Sequence, residues 1–216
     1  MDTFIITCEH GGNRIPAPYR RLFRGQRALL DSHRGYDPGS LVMSKALASA
    51  FAAPLVASTV SRLLIDLNRS IGHPQLFSAV TRAAPAQTRA QIVEQHYRPY
   101  RMQVERLIWQ AVARGASRDP HFVAQLYRGA GWQGARRRCG FALPPRSARG
   151  GRGLRPLEGN AGKGDGLTSH LRVRFAHCDY VGIELEVNQG IVFAAGRRWM
   201  ALRRMLIDSL RTGCAA

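Results

Sequence analysis

Apolar residues occur along the chain in blocks that shift between strand-like runs and helical periodicity, and this alternation sets the expected elements. Residues 3–8, TFIITC, are a β-branched run that meets the glycines and proline of EHGGNRIPAP, which predicts a short buried strand ending at a turn, with Glu9 and His10 projecting from its end. Asp37 is placed to cap a helix with Pro38 at its first position and Leu41, Leu47, Ala48 and Phe51 on its apolar face, and Pro54 stops it. PLVAS (54–58) and SRLLIDLN (61–68) then predict strands. The resulting β-α-β order favours an α/β sheet with parallel strands. A helical pattern runs over 86–113 through Ile92, Tyr100, Val104, Leu107 and Ile108, and Pro99 is expected to kink or divide it. Further on, GDGLTSHLRVRF predicts a short helix, DYVGIELEVNQ a buried strand with carboxylates at alternate positions, and RRWMALRRMLIDSLR an amphipathic helix. There is no internal repeat.

A chain of 216 residues with 45% hydrophobic content is expected to fill one core in one domain, residues 1–216. Cys8, Cys139, Cys178 and Cys214 lie far apart with no CxxC pair, and the sequence opens on a charged residue and a strand-like run instead of a signal peptide. Free thiols in a reducing, cytoplasmic setting are expected. No run approaches the roughly 18 apolar residues of a membrane span, so no membrane partner is expected.

The net charge of +18 and pI of about 11.3 point at first to nucleic acid. The charge is unevenly spread, however: residues 111–160 hold ten arginines against Asp119 and Glu158, and nine of the 22 glycines. That window neither interleaves lysine with aromatics nor carries a nucleic-acid-binding motif. An anomalous segment, residues 119–158, explains the charge better than a nucleic-acid partner does.

Four polar clusters each follow an apolar run, as when an α/β fold delivers chemistry to the carboxyl edge of its sheet. They are Glu9-His10 with Asn13 and Arg14, His33 with Asp37, Arg62 with Asp66-Asn68-Arg69, and Glu184-Glu186-Asn188. Singly, each has an ordinary structural use: a turn histidine, a helix-capping aspartate, a surface arginine. In this order, TCEHGGNRIP, HRGYDPG, SRLLIDLNRS, GKGDGLTSHLRVRF and GIELEVNQ resemble the successive signature segments of the N-formylglutamate amidohydrolases, with IDLNRS and GIELEVNQ the most specific. The resemblance covers residues 3 to about 112 and 160 to 211.

That family is similar to the zinc carboxypeptidases in the layout of its site. The resemblance implies a three-layer α/β domain with a mixed, mostly parallel sheet of the phosphorylase/hydrolase-like type. It implies hydrolysis of N-formyl-L-glutamate, or a related small-molecule N-acyl amino acid, to formate and L-glutamate, a step of amino-acid metabolism such as histidine degradation. Zinc is the implied cofactor, with His10 as a ligand. The carboxypeptidase pattern has a glutamate three residues after this histidine; here Asn13 stands there, so Asp37, or alternatively His33, is the expected second ligand. Asn68-Arg69 resembles the pair that holds a substrate carboxylate, since a guanidinium offers two donors to its two oxygens. For Arg62 the resemblance implies a hold on a second carboxylate or on the developing oxyanion. Glu184 matches the general base that takes a proton from the attacking water and passes it to the leaving amine. Glu186 shares its face and is as readily an orienting partner of an Arg or His as a catalytic group; His170 is either an outer partner or a plain helix residue.

A third protein ligand is also implied, a histidine in a strand-end motif close to SHSFT, followed by one like DVGLLY. Neither string occurs here; HFVAQLYRGAGWQGARRRCGFALPPRSARGG stands in their place. Back-translating Val123 to Tyr127 and starting one base later permits Ser-His-Ser-Phe-Thr. The same offset from Phe122 to Arg146 permits SSHSFTGALDGRARDADVGLLYHPA, the original frame returning before Gly162. Offset reading of a GC-rich gene yields arginine, glycine, proline and alanine, the makeup of this window. His121 is the one histidine left there, three positions before the offset one, a register that aims at the opposite face. The expectation is a family member that binds zinc weakly or not at all, either an inactive frameshifted homologue or a scaffold that holds a dicarboxylate through Arg62 and Arg69.

Overall fold

A computed structural model describes residues 4–114, 165–178, 180–187, 189–193 and 196–212, with the backbone alone of residues 3, 121–128 and 213–215. The elements are β1 (Thr3–Cys8), a 3-10 helix (Ala17–Phe23), α1 (Arg27–Leu30), α2 (Ser40–Ala50), β2 (Leu55–Ala57), α3 (Ala79–Arg82), α4 (Ala86–Ile92), a π-helical turn (Val93–Tyr97), α5 (Arg98–Ala113), β3 (His121–Arg128), α6 (Leu167–Arg174), β4 (Tyr180–Val187), α7 (Gln189–Phe193) and α8 (Arg197–Ala215). The strands form one sheet in the order β2-β1-β3-β4. Every described pairing is parallel, so helices must cross between strands and cover both faces.

Alternation along β1 divides the core. Ile5 faces Val56, the α5 stripe Tyr100, Val104 and Ile108, and Leu167 and Leu171 of α6. Ile6 faces the other way, onto Met43 and Leu47 of α2, Leu185 of β4, and Leu206 and Leu210 of α8. The expected α/β layering is therefore present, with a helix layer on each side of a small parallel sheet. Each fully buried aliphatic side chain contributes about 1.5–3 kcal/mol.

Three expectations need correction. Residues 61–68 form turns, not a strand, although Leu63, Leu64, Ile65 and Leu67 are all buried. Side chains divert the backbone: Ser61 Oγ accepts from Leu63 N–H at 3.3 Å, and Asp66 Oδ1 accepts from Asn68 N–H at 3.0 Å. The helix after Asp37 starts later than expected, at Ser40 behind Gly39, whose φ of 84° reverses the chain; no side chain caps it. Asp37 is thus released from capping. The long 86–113 pattern is divided, but ahead of Pro99: the π-helical turn takes up the disruption, and Pro99 lies in the first turn of α5, where a missing N–H costs nothing.

β1, α6, β4 and α8 fall where the sequence predicts them. Cys8 and Cys178 are free thiols. Among the described residues no helix is long and apolar enough to cross a membrane. Apart from the backbone of β3, the segment expected to be anomalous, 119–158, lies outside the described residues, as do Cys139 and Asn188.

Candidate functional site

β1 delivers Glu9 and His10 to the carboxyl edge of the sheet, and both are buried. The loop that follows is held against the residues after β2 by backbone bonds from Gly11 to Ser58 and from Arg14 to Thr59. Glycine is required here, since a Cβ at Gly11 would lie 2.9 Å from the Ser58 carbonyl oxygen.

His10 is clasped on both ring nitrogens. Nδ1 is 3.0 Å from Asp37 Oδ2, and Nε2 is 2.8 Å from Asp66 Oδ1. Asp37 is brought there by its own N–H, which donates to the His10 carbonyl at 2.9 Å. Arg62 closes the cluster: its guanidinium donates to Asp66 Oδ2 at 2.7 Å and stands 3.6 Å from Asp37 Oδ1. Burial alone would lower the affinity of His10 for a proton, but Asp66 and Asp37 outweigh it and the opposing charge of Arg62, raising its pKa to about 9. Burial likewise works against ionised Asp66, yet His10 and Arg62 hold its carboxyl well below the usual range.

A second buried group faces the other way. Tyr100 of α5 donates to Glu9 Oε1 at 2.7 Å and accepts the Cys8 N–H at 3.1 Å, tying helix to strand end. Burial, with Glu9 next, raises the Tyr100 hydroxyl well above its ordinary value. Burial also pushes the Cys8 thiol up to about 11, so it is not a nucleophile near neutrality.

The remaining predicted residues are spread around this cluster. Asn68 gives its side-chain oxygen to the Leu167 N–H at 2.7 Å, satisfying the start of α6. The backbone carbonyl of Arg69 is gripped by Tyr97 at 2.7 Å and Arg101 at 3.1 Å, while its guanidinium pairs with no carboxylate among the described residues. His33 is exposed. Glu184 is exposed on β4 and level with Gln125 of β3 and Thr7 of β1, on the face of Glu9. No hydrogen bond or ion pair joins it to the His10 cluster among the described residues. Glu186 lies one pleat nearer the carboxyl edge, and its pKa is raised by burial and then by Glu184. His170 and Arg174 both bind Glu105 on the surface, at 2.8 and 2.9 Å.

His10, Asp37 and Arg62, all expected at the site, do come together here, joined by Asp66, for which the pattern implies no role; Tyr100, expected on the apolar stripe of the helix, also turns its hydroxyl onto Glu9. The Asp66 signal was its spacing from Arg62, four residues on; nothing marked the Tyr100 hydroxyl. Among the described residues no three His, Cys, Asp or Glu side chains are arranged to hold a metal ion. His121 pairs with Thr3 at the amino end of β1, about 20 Å along the strand direction from His10.

The model of the N-formylglutamate amidohydrolase family matches residues 2–123, more than half of the chain. The crystal structure of gene product Atu2144 from Agrobacterium tumefaciens shares the fold, with a TM-score of 0.73 at 19% identity, covering 99% of this chain and 90% of that one. No curated protein matches.

Proposed function

Since the chain belongs to the N-formylglutamate amidohydrolase family, we propose that it cleaves the amide bond of N-formyl-L-glutamate, or a closely related N-acyl amino acid, giving formate and L-glutamate. Membership carries amidohydrolase activity on substrates of that kind. The observation that supports the site is His10 held between Asp37 and Asp66 beside Arg62, at the carboxyl edge of a parallel sheet and inside the matched region.

The donors present go part of the way to fitting a zinc ion. His10 Nδ1 and Asp37 Oδ2 lie 3.0 Å apart, a spacing two ligands of one ion can keep, and Asp66 on Nε2 is the carboxylate that commonly orients a ligating histidine. A catalytic zinc takes three protein ligands, and among the described residues no group of three is arranged to hold one. When bound, the ion supplies Lewis acidity to an amide carbonyl and makes water more acidic. The chain's own groups do the rest. Asp66 fixes the tautomer and orientation of His10, and Arg62 holds both aspartates while keeping a quarter of its side chain exposed toward a developing oxyanion. Arg69, braced through its carbonyl, receives a substrate carboxylate with Asn68 beside it. Glu184 takes the proton from attacking water and returns it to the leaving nitrogen.

The test is release of formate from N-formyl-L-glutamate by the zinc-supplemented protein and its variants. Glu184→Gln is expected to lower kcat at least 100-fold, the lower end of general-base effects. If Glu186→Gln lowers kcat that far and Glu184→Gln does not, the base is the residue nearer the edge.

A second reading is favoured by one coincidence: the family match ends at Val123, one residue into the stretch where the offset frame restores SHSFT. On this reading the chain is a frameshifted homologue without its third ligand. Nucleotide sequencing across codons 112–162 tests it, and bases that do not permit the offset text exclude it.

A further inference from the structure

A cavity of about 460 Å3 opens beside the loop that carries His10, within the 300–1,000 Å3 range of small-molecule sites. Its lining joins Ile15, Phe23 and Leu30, which are buried or half-buried, to exposed Arg14, Arg20 and Arg27, with Asp31 the one acid among the described lining residues. Asp31 is already matched: it accepts from Arg27 Nε at 2.5 Å and from Asn13 Nδ2 at 2.8 Å. Arg14 and Arg20 have only distant neutral oxygens, Thr59 Oγ1 at 3.4 Å and the Ile15 carbonyl at 3.5 Å. Neither pairs with a carboxylate among the described residues. Two guanidinium groups without a carboxylate partner among the described residues, over a concave apolar surface, concentrate an anion there, and each offers a two-pronged donor to a carboxylate. The field of Arg14 is felt behind the cavity: His96, packed edge-on to Tyr19 at 5.8 Å, is held toward its neutral form by burial and then by Arg14.

Both cavity walls are joined to the His10 loop by short stretches of chain. Asn13 is three residues beyond His10, so their Cα atoms are at most about 11 Å apart. Asp31 is six residues before Asp37, whose N–H is bonded to the His10 carbonyl. Arg62, the other cation near His10, is turned onto Asp66 and Asp37, and Arg69 is already assigned to one substrate carboxylate, which leaves the distal one to another site. We infer that the Arg14–Arg20 cavity is the subsite for the distal carboxylate of a dicarboxylic N-acyl amino acid, with its amide end at His10. This rests on the proposed reading for the amide end alone; the anion preference belongs to the cavity.

The experiment compares binding of N-formyl-L-glutamate with that of its neutral isostere N-formyl-L-glutamine, by calorimetry on the full chain, so the readout is independent of turnover. The wild-type chain should bind the dicarboxylate at least tenfold more tightly, the size of a charge-assisted hydrogen bond. The exposed pair Arg14→Gln/Arg20→Gln should erase that preference, leave affinity for the neutral compound within about twofold, and leave the unfolding midpoint unchanged. Lysines at both positions should restore part of the preference. Equal binding of the two compounds by the wild type, binding of neither, or a preference that survives the double substitution would each overturn the inference. A chain that shows the preference but releases no formate keeps the subsite and loses the hydrolytic reading.

Discussion

Two acidic side chains on one buried imidazole make His10 the most charge-dependent residue described. Removing Asp66 leaves an imidazolium and a guanidinium short of a partner in the interior, so Asp66→Ala is expected to lower unfolding free energy by about 3–5 kcal/mol in urea titrations. The same pairing sets a pH window in chelator-treated protein. The His10 pKa is raised from 6.5 to about 9, so its contribution is full below 6.5 and is lost as pH rises through about 9. Asp66 is depressed from 3.8, so its contribution is present above 3.8 and is lost as pH falls through the lower folded value. Denaturation midpoints should therefore decline toward pH 9, and His10→Gln should flatten that limb; an unchanged alkaline slope in the variant would refute the assignment. His10 is legible from the end of the β1 run before Gly11, and Asp37 only through the family resemblance, since on its own it reads as a helix cap. Asp66 is not legible, because a strand over 61–68 would turn alternate residues apart.

At the scale of elements, side-chain bonds replace much of what caps and regular ladders usually provide. Tyr100 bolts α5 to the end of β1, and Tyr100→Phe strands both the Cys8 N–H and part of the Glu9 carboxylate. A loss of about 1–3 kcal/mol is expected from chemical denaturation. Asn68 caps α6 across 99 residues of sequence, and Asn68→Ala should cost about 1 kcal/mol with faster amide exchange at Leu167. Elements with a clear period, β1, the α5 stripe, β4 and α8, were readable because burial on one face imposes the repeat. Residues 61–68 were not, because buried leucines satisfy a core equally well from turns, and the choice was made by Ser61 and Asp66 oxygens competing for backbone N–H groups. The start of α2 was missed for a similar reason: the side chain that would have capped it serves His10 instead.

For the whole molecule, the α/β layering follows from the periods at the two ends of the chain and the family from residues 2–123, while the sheet is joined by β3 from the middle. If the offset-frame reading holds, the chain should bind well under one zinc per molecule by atomic absorption after gel filtration, against about one in a version carrying the offset text. Equal occupancy would show that the described donors suffice or that a ligand lies elsewhere. The layered arrangement is readable from the alternation of periods; where β3 docks is not, since Phe122, Val123 and Tyr127 suit a strand but lie in a stretch whose arginine and glycine content marks it as anomalous.

β3 is bonded to β1 on one side and β4 on the other, which makes it the middle plank of the sheet. Such a plank cannot be trimmed like a surface loop: cutting it out would leave the β2–β1 pair and a lone β4, each with a raw, adhesive margin. Whatever happened to the letters of that stretch, natural selection or chance had to leave eight consecutive residues able to lie flat between neighbours. A shortened version should therefore precipitate during expression instead of yielding a smaller working protein.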